Sequence, residues 1–191
     1  MKLLETRELV TGWSRPAHRP VSFTVERGKI IALTGPNGAG KSTILAALSN
    51  GGAQVFSGHL QFEAEARMGF LSQHLPPIEG LPLSGAELLA LTGVSSVGLP
   101  AWLESRLHHR LDTLSGGQRQ FLVFWSILQA KADLLLVDEP GNHMDKDGQA
   151  VLSDILRTRA GENIGIILVT HDQKLIQDCC DEQVIVEPFG E

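Results

Sequence analysis

GPNGAGKST, residues 35–43, fits G-x-x-x-x-G-K-[ST] between an apolar run and a helical pattern. The glycines let backbone N–H groups turn inward around phosphate oxygens, and a helix N-terminus adds the positive end of its dipole. Lys41 is placed to reach the β- and γ-phosphates of a nucleotide, and Ser42 to offer a hydroxyl to Mg²⁺. Gly35, Pro36, Asn37, Gly38, Ala39, Gly40, Lys41, Ser42 and Thr43 are therefore the candidate phosphate cradle.

A phosphate cradle that does chemistry needs a metal-holding acid and a group that activates water. LLLVDEP, residues 134–140, offers both: an apolar run predicts a buried strand, with Asp138 and Glu139 at its carboxyl end, where α/β sheets carry their sites. Asp138 is placed to hold Mg²⁺ through its water shell, and Glu139 to orient or deprotonate an attacking water.

Strand and helix signals alternate along the chain around these groups, which predicts a mainly parallel, helix-covered sheet. VSFTV (21–25) alternates like a half-exposed strand, and KIIALTG is a short buried strand stopped by glycine. KSTILAALSNGG reads as a helix with Gly51 near its C-terminal cap, and RMGFLSQ as a further strand. DLLLVDEP and NIGIILVTHD are continuous apolar runs suited to strands covered on both faces. After Gln73 the chain becomes rich in Pro and Gly, and then Leu99, Leu103, Leu107 and Leu111 recur every four residues behind Pro100, predicting a helix. FLVFWSILQA reads as a buried helix behind the glycine-rich tip LSGGQ. The whole is expected to be one domain, residues 1–191, with an N-terminal antiparallel β region and a small helical lobe inserted at about residues 74–130.

With 16 Lys+Arg against 22 Asp+Glu, the net charge of −6 disfavours phosphate-led nucleic-acid binding, and no nucleic-acid partner is expected. No stretch approaches the ~18–20 apolar residues of a membrane span, and MKLLETRELV lacks the pattern of a signal peptide. Adjacent Cys179 and Cys180 are poorly placed for a disulfide and read as core-packing residues of a reducing compartment. His108 and His109 read as solvated surface, and His18, His59 and His74 show no ligand spacing.

Taken together the motifs resemble the nucleotide-binding subunit of an ATP-binding cassette (ABC) transporter, an α/β fold of the P-loop NTPase type. GPNGAGKST resembles that family's phosphate loop, LSGGQRQ its signature, LLLVDEP its acidic strand and NHMD (142–145) its D-loop. The resemblance implies that His171 in VTHD is the switch histidine that donates to the γ-phosphate, and that Gln73 senses Mg²⁺ and a membrane subunit. It places Trp13 where an aromatic stacks on adenine. It also implies that Ser115, Gly116, Gly117 and Gln118 of one subunit cover the nucleotide held by another, two chains packing head to tail around two ATP molecules. The partners implied are a second copy or a homologous ATPase subunit and an integral permease, which would hold the chain at the inner face of the cell membrane.

Within the family, GHLQFEAEARMGFLSQHLPPIEGLPLSGAELLAL and MDKDGQAVLSDIL resemble importers of zinc, manganese and chelated metals. A small exporter of the haem-exporter type, a soluble ATPase uncoupled from transport and a scaffold with little turnover stay open as alternatives. Two positions depart from the family pattern: Phe121 stands where an arginine usually follows the signature, and Gly141 where a threonine usually precedes the D-loop.

Overall fold

Apolar runs become strands and amphipathic segments become helices in the computed structural model of the chain, which describes residues 1–72, 82–141 and 146–190. Strands β1 (Lys2–Gly12), β2 (Val21–Glu26) and, after β3 (Ile30–Thr34) and α1 (Lys41–Leu48), β4 (Gln54–Phe62) form an antiparallel sheet in the order β2-β1-β4. The alternation in β2 is as expected: Val21, Phe23 and Val25 are buried, while Ser22 and Glu26 face solvent.

The second sheet is parallel throughout and joins β5 (Met68–Leu71), β6 (Leu134–Asp138), β7 (Gly165–Val169), β3 and β8 (Glu182–Ile185) in the order β5-β6-β7-β3-β8. Its three central strands are buried along their whole length because both faces are covered. Along β6, Leu135 and Val137 pack toward the helices α4 (Gly116–Leu128), α5 (Lys146–Gly161) and α6 (Gln173–Cys179). Leu134 and Leu136 pack toward α1 and the antiparallel sheet. The sheet thus divides two apolar clusters, and its carboxyl edge is where β3 and β6 deliver the phosphate loop and Asp138.

Helix α1 ends in a Schellman arrangement: the Gly51 N–H bonds the Ala46 carbonyl at 2.7 Å, while Asn50 takes the left-handed position at φ 57°. Gly51 therefore closes the helix through its amide, and the positive φ falls on the residue before it.

Between β5 and β6 lie α2 (Gly85–Thr92), α3 (Ala101–Glu104), a 3₁₀ turn (Leu111–Thr113) and α4. The helix expected over Leu99–Leu111 is broken. Only Ala101–Glu104 is α-helical, and the chain then continues through i→i+3 turns such as Leu107 N–H to Glu104 O and His109 N–H to Arg106 O. The reason lies in tertiary bonding: the carbonyls of Leu107 and His109 accept the Ala86 and Gly85 amides that open α2, at 2.8 and 3.3 Å. A side chain at Gly85 would begin 3.1 Å from the Leu107 oxygen, so this approach needs a small residue there. All four leucines are nevertheless buried; the four-residue spacing recorded a core face correctly and a continuous helix wrongly.

Cys179 and Cys180 are free thiols with their sulfurs 3.9 Å apart, and His108 and His109 are exposed, as expected. Among the described residues no helix is long and apolar enough to cross a membrane.

Candidate nucleotide-binding site

The phosphate loop, residues 35–40, joins β3 to α1. Gly35, Gly38 and Gly40 have φ of 141°, 81° and 91°, values that side-chain-bearing residues rarely adopt. Gly35 also lies against Val186, whose carbonyl oxygen would be 2.1 Å from a Cβ at that position. Gly40 caps α1 without any side-chain hydrogen bond, leaving the first amides of the helix directed into the loop.

Lys41 is buried, and its Nζ donates to the carbonyls of Gly35 and Pro36 at 2.9 and 3.0 Å. The ammonium thus lies within the loop that would wrap a phosphate, held by neutral acceptors that an anion outcompetes. The next residue, Ser42, donates its hydroxyl to Oδ1 of buried Asp138 at 3.2 Å, linking the loop to the end of β6. A hydroxyl and a carboxylate meeting at a phosphate cradle form the hard-oxygen environment that Mg²⁺ takes.

Glu139 leaves the sheet in a conformation with φ 47°, uncommon for a non-glycine residue, and its amide donates to the Val169 carbonyl at 2.9 Å. That bond to the end of β7 holds the strained turn and directs the carboxylate toward the strand that leads to His171. The His171 Nδ1–H donates to Glu139 Oε2 at 3.0 Å, with Oε1 at 3.2 Å. Residues 37–43, Glu139, Val169 and His171 line one cavity of about 460 Å³.

A second, larger cavity of about 790 Å³ adjoins it, the two sharing Ala17 and Gly38. Trp13 lines this cavity and is 55% exposed, with Gly52 behind its ring, so the indole is accessible. Gln73 and the NHMD segment lie outside the described residues.

Ser115 to Gln118 do not line the phosphate cavity of their own chain. Ser115 caps α4 in a reciprocal box, its hydroxyl accepting the Gln118 N–H at 3.2 Å while its own amide donates to Gln118 Oε1 at 3.1 Å. At Gly116 and Gly117 a Cβ would meet nothing within 4 Å, and neither residue has a positive φ. Nothing among the described residues requires glycine at these two positions. Behind them Phe121 is buried and packs edge-on against Trp102 with ring centroids 5.2 Å apart, so the departure from arginine is absorbed by an apolar contact within the lobe. Among the described residues a Cβ at Gly141 would meet nothing within 4 Å.

Sequence reasoning passed over His18. The residue is fully buried, and its Nε2 accepts from the Thr11 amide at 3.0 Å. That places the proton on Nδ1, which donates to the Arg19 carbonyl at 2.7 Å. Burial holds its pKa below the usual histidine range. The ring edge also meets the phosphate loop, lying 3.1 Å from where a Cβ on Gly40 would stand. A lone histidine in a loop carries no spacing signal; what it does depends on Thr11 and Gly40 arriving from elsewhere in the chain.

The model of the ABC transporter family matches residues 18–142, which include the phosphate loop, the signature and the acidic strand. The chain belongs to the ABC transporter family. It is an ATP-binding cassette of that family, and its relatives include the zinc import ATP-binding protein ZnuC of Marinobacter nauticus, 37% identical over 89% of this chain and 68% of that protein. A second ZnuC, from Rhizobium johnstonii, is 34% identical over 83% of this chain and 54% of its own length. The alignments with these two thus span between 54 and 68% of the relatives. The ATP-binding subunit of an ABC transporter superposes with a TM-score of 0.79 at 23% identity, covering 97% of this chain and 86% of that one. This cassette therefore has the family's fold as well as its motifs.

Proposed function

We propose that this chain binds and hydrolyses ATP with Mg²⁺ as one of two cassette subunits that power a membrane permease, and that the cargo is zinc or a related metal ion or chelate. The observation that carries the reading is the convergence of Lys41, Ser42, Glu139 and His171 on one cavity at the carboxyl edge of the parallel sheet. The residues are read as a single cassette domain, 1–191, with the helical lobe inserted at about 74–130.

Binding would begin when phosphate oxygens replace the Gly35 and Pro36 carbonyls as acceptors of the Lys41 ammonium. Ser42 and Asp138 would hold Mg²⁺, which when bound neutralises charge on the phosphates. Glu139 orients the attacking water or takes its proton, and the backbone bond to Val169 keeps the carboxylate at the cavity wall. In the present arrangement His171 holds that carboxylate; to donate to a γ-phosphate the ring must turn its Nδ1–H from Glu139 to the phosphate or carry a second proton on Nε2. Trp13 stacks on the base, and Gln73 is the residue expected to face both the metal and the permease.

Pairing is supported by Gly116 and Gly117, whose glycine character nothing among the described residues demands. In a head-to-tail pair they let the backbone at the start of α4 approach the partner's γ-phosphate, with Ser115 and Gln118 beside them. Association with a permease would place the chain at the inner face of the cell membrane. The zinc reading rests on the zinc import relatives. It is tested by zinc uptake in cells that lack the chain and have it restored: uptake should fall and return with wild-type protein but not with Lys41→Ala, and unchanged uptake on removal contradicts it.

A further inference from the structure

Phe189 is a large apolar side chain left half exposed, on a segment that is otherwise held firmly. Following β8, the Val186 amide donates to the Thr34 carbonyl at 2.7 Å, the Arg19 amide to the Glu187 carbonyl at 2.9 Å, and the Phe189 amide to the Ala17 carbonyl at 3.2 Å. Pro188 bridges to His18, and the Arg19 guanidinium pairs with the Glu187 carboxylate at 2.9 Å. Through these bonds the segment runs beside residues 17–19, and Gly35 touches it at Val186. The same His18 that meets Gly40 therefore fixes Phe189 relative to the phosphate loop.

This placement brings Phe189 into the wall of the 790 Å³ cavity that Trp13 also lines, next to the phosphate cavity. Two aromatic side chains that each leave about half their surface uncovered thus border one concave space of ligand size. Of the rest of the described wall, Ser14 and Arg15 alone carry polar side chains that could read the edge of a base.

We propose that Phe189 is a specificity-determining residue that forms a second stacking wall of the base subsite, opposite Trp13, so that the base of a nucleoside triphosphate is held between two aromatic rings. The inference rests on the nucleotide reading above and adds to it where the base goes. Stacking is tolerant of base identity because every base has a π-face, so the clamp rewards the larger purine surface more than a particular pattern of edge groups.

The test compares the dissociation constants of ATP and of inorganic tripolyphosphate, measured calorimetrically, for the wild-type chain and for Phe189→Ala, Phe189→Trp and Trp13→Ala. Phe189→Ala should weaken ATP by about 5-fold or more, the low end of a lost base–aromatic stack, and leave tripolyphosphate within about twofold. Phe189→Trp should restore ATP affinity. The proposal is overturned if Phe189→Ala binds ATP like wild type while Trp13→Ala does not, since the base then rests on Trp13 alone. It is equally overturned if Phe189→Ala weakens ATP and tripolyphosphate alike, which is the signature of a segment that only supports the phosphate loop. A wild-type chain that binds neither ligand would instead remove the nucleotide reading itself.

Discussion

The Nδ1 of His171 stands 3.0 Å from Oε2 of Glu139, so the two groups expected to act on the γ-phosphate and on water are already joined by a hydrogen bond. One comes from the end of β7 and the other from the end of β6, neighbouring strands whose register pairs Asp138 with Val169. His171→Ala should leave ATP affinity within a few-fold and slow hydrolysis by about 100-fold or more, the scale of a lost proton-handling or charge-stabilising group. Steady-state phosphate release, read beside equilibrium ATP binding, checks both halves of the expectation.

Gly117 separates the needs of the fold from those of an assembled site. Because a Cβ there meets nothing within 4 Å and the residue is helical, Gly117→Ala should keep or raise the thermal stability of the isolated chain, by up to about 1 kcal/mol. The same substitution should reduce ATP-dependent pairing and hydrolysis. Calorimetric melting and light scattering on one sample would show the two quantities moving in opposite directions; a variant that loses stability and activity together would place the glycine requirement inside the chain.

The parallel sheet owes part of its edge to Asp133, which accepts from the Arg67 amide at 3.0 Å and from the guanidinium groups of Arg27 and Arg67. The Arg67 amide and then the Arg27 and Arg67 guanidinium groups hold its carboxyl well below the usual range, at about 2. A depressed folded-state value means that the contribution is full above the unfolded carboxyl range and is lost as pH falls toward about 2. Asp133→Asn should therefore melt at a lower temperature than wild type near neutral pH, with the gap narrowing as the solution is acidified through that window.

Much of this was legible in the residues because the signals are local. The phosphate loop needs glycines at fixed offsets between a strand and a helix, and β6 and β7 read as unbroken apolar runs because both sheet faces are covered. The Leu99–Leu111 stretch misled because spacing reports which side chains are buried, whereas its carbonyls are taken by α2. His18 was passed over for a related reason: its partners Thr11, Arg19 and Gly40 meet it only through the fold. Phe189, in a terminal segment without a motif, became visible only when the chain brought it to the cavity of Trp13.

On the proposed reading Glu139 supplies the hydrolytic carboxylate of a site that a second subunit completes. The test mixes Glu139→Gln with ATP and follows it by multi-angle light scattering alongside phosphate release. The variant should bind ATP, release almost no phosphate and persist as a dimer that wild type forms only transiently. Hydrolysis at the wild-type rate would contradict the role assigned to Glu139, and an ATP-loaded variant that stays monomeric would contradict the paired site.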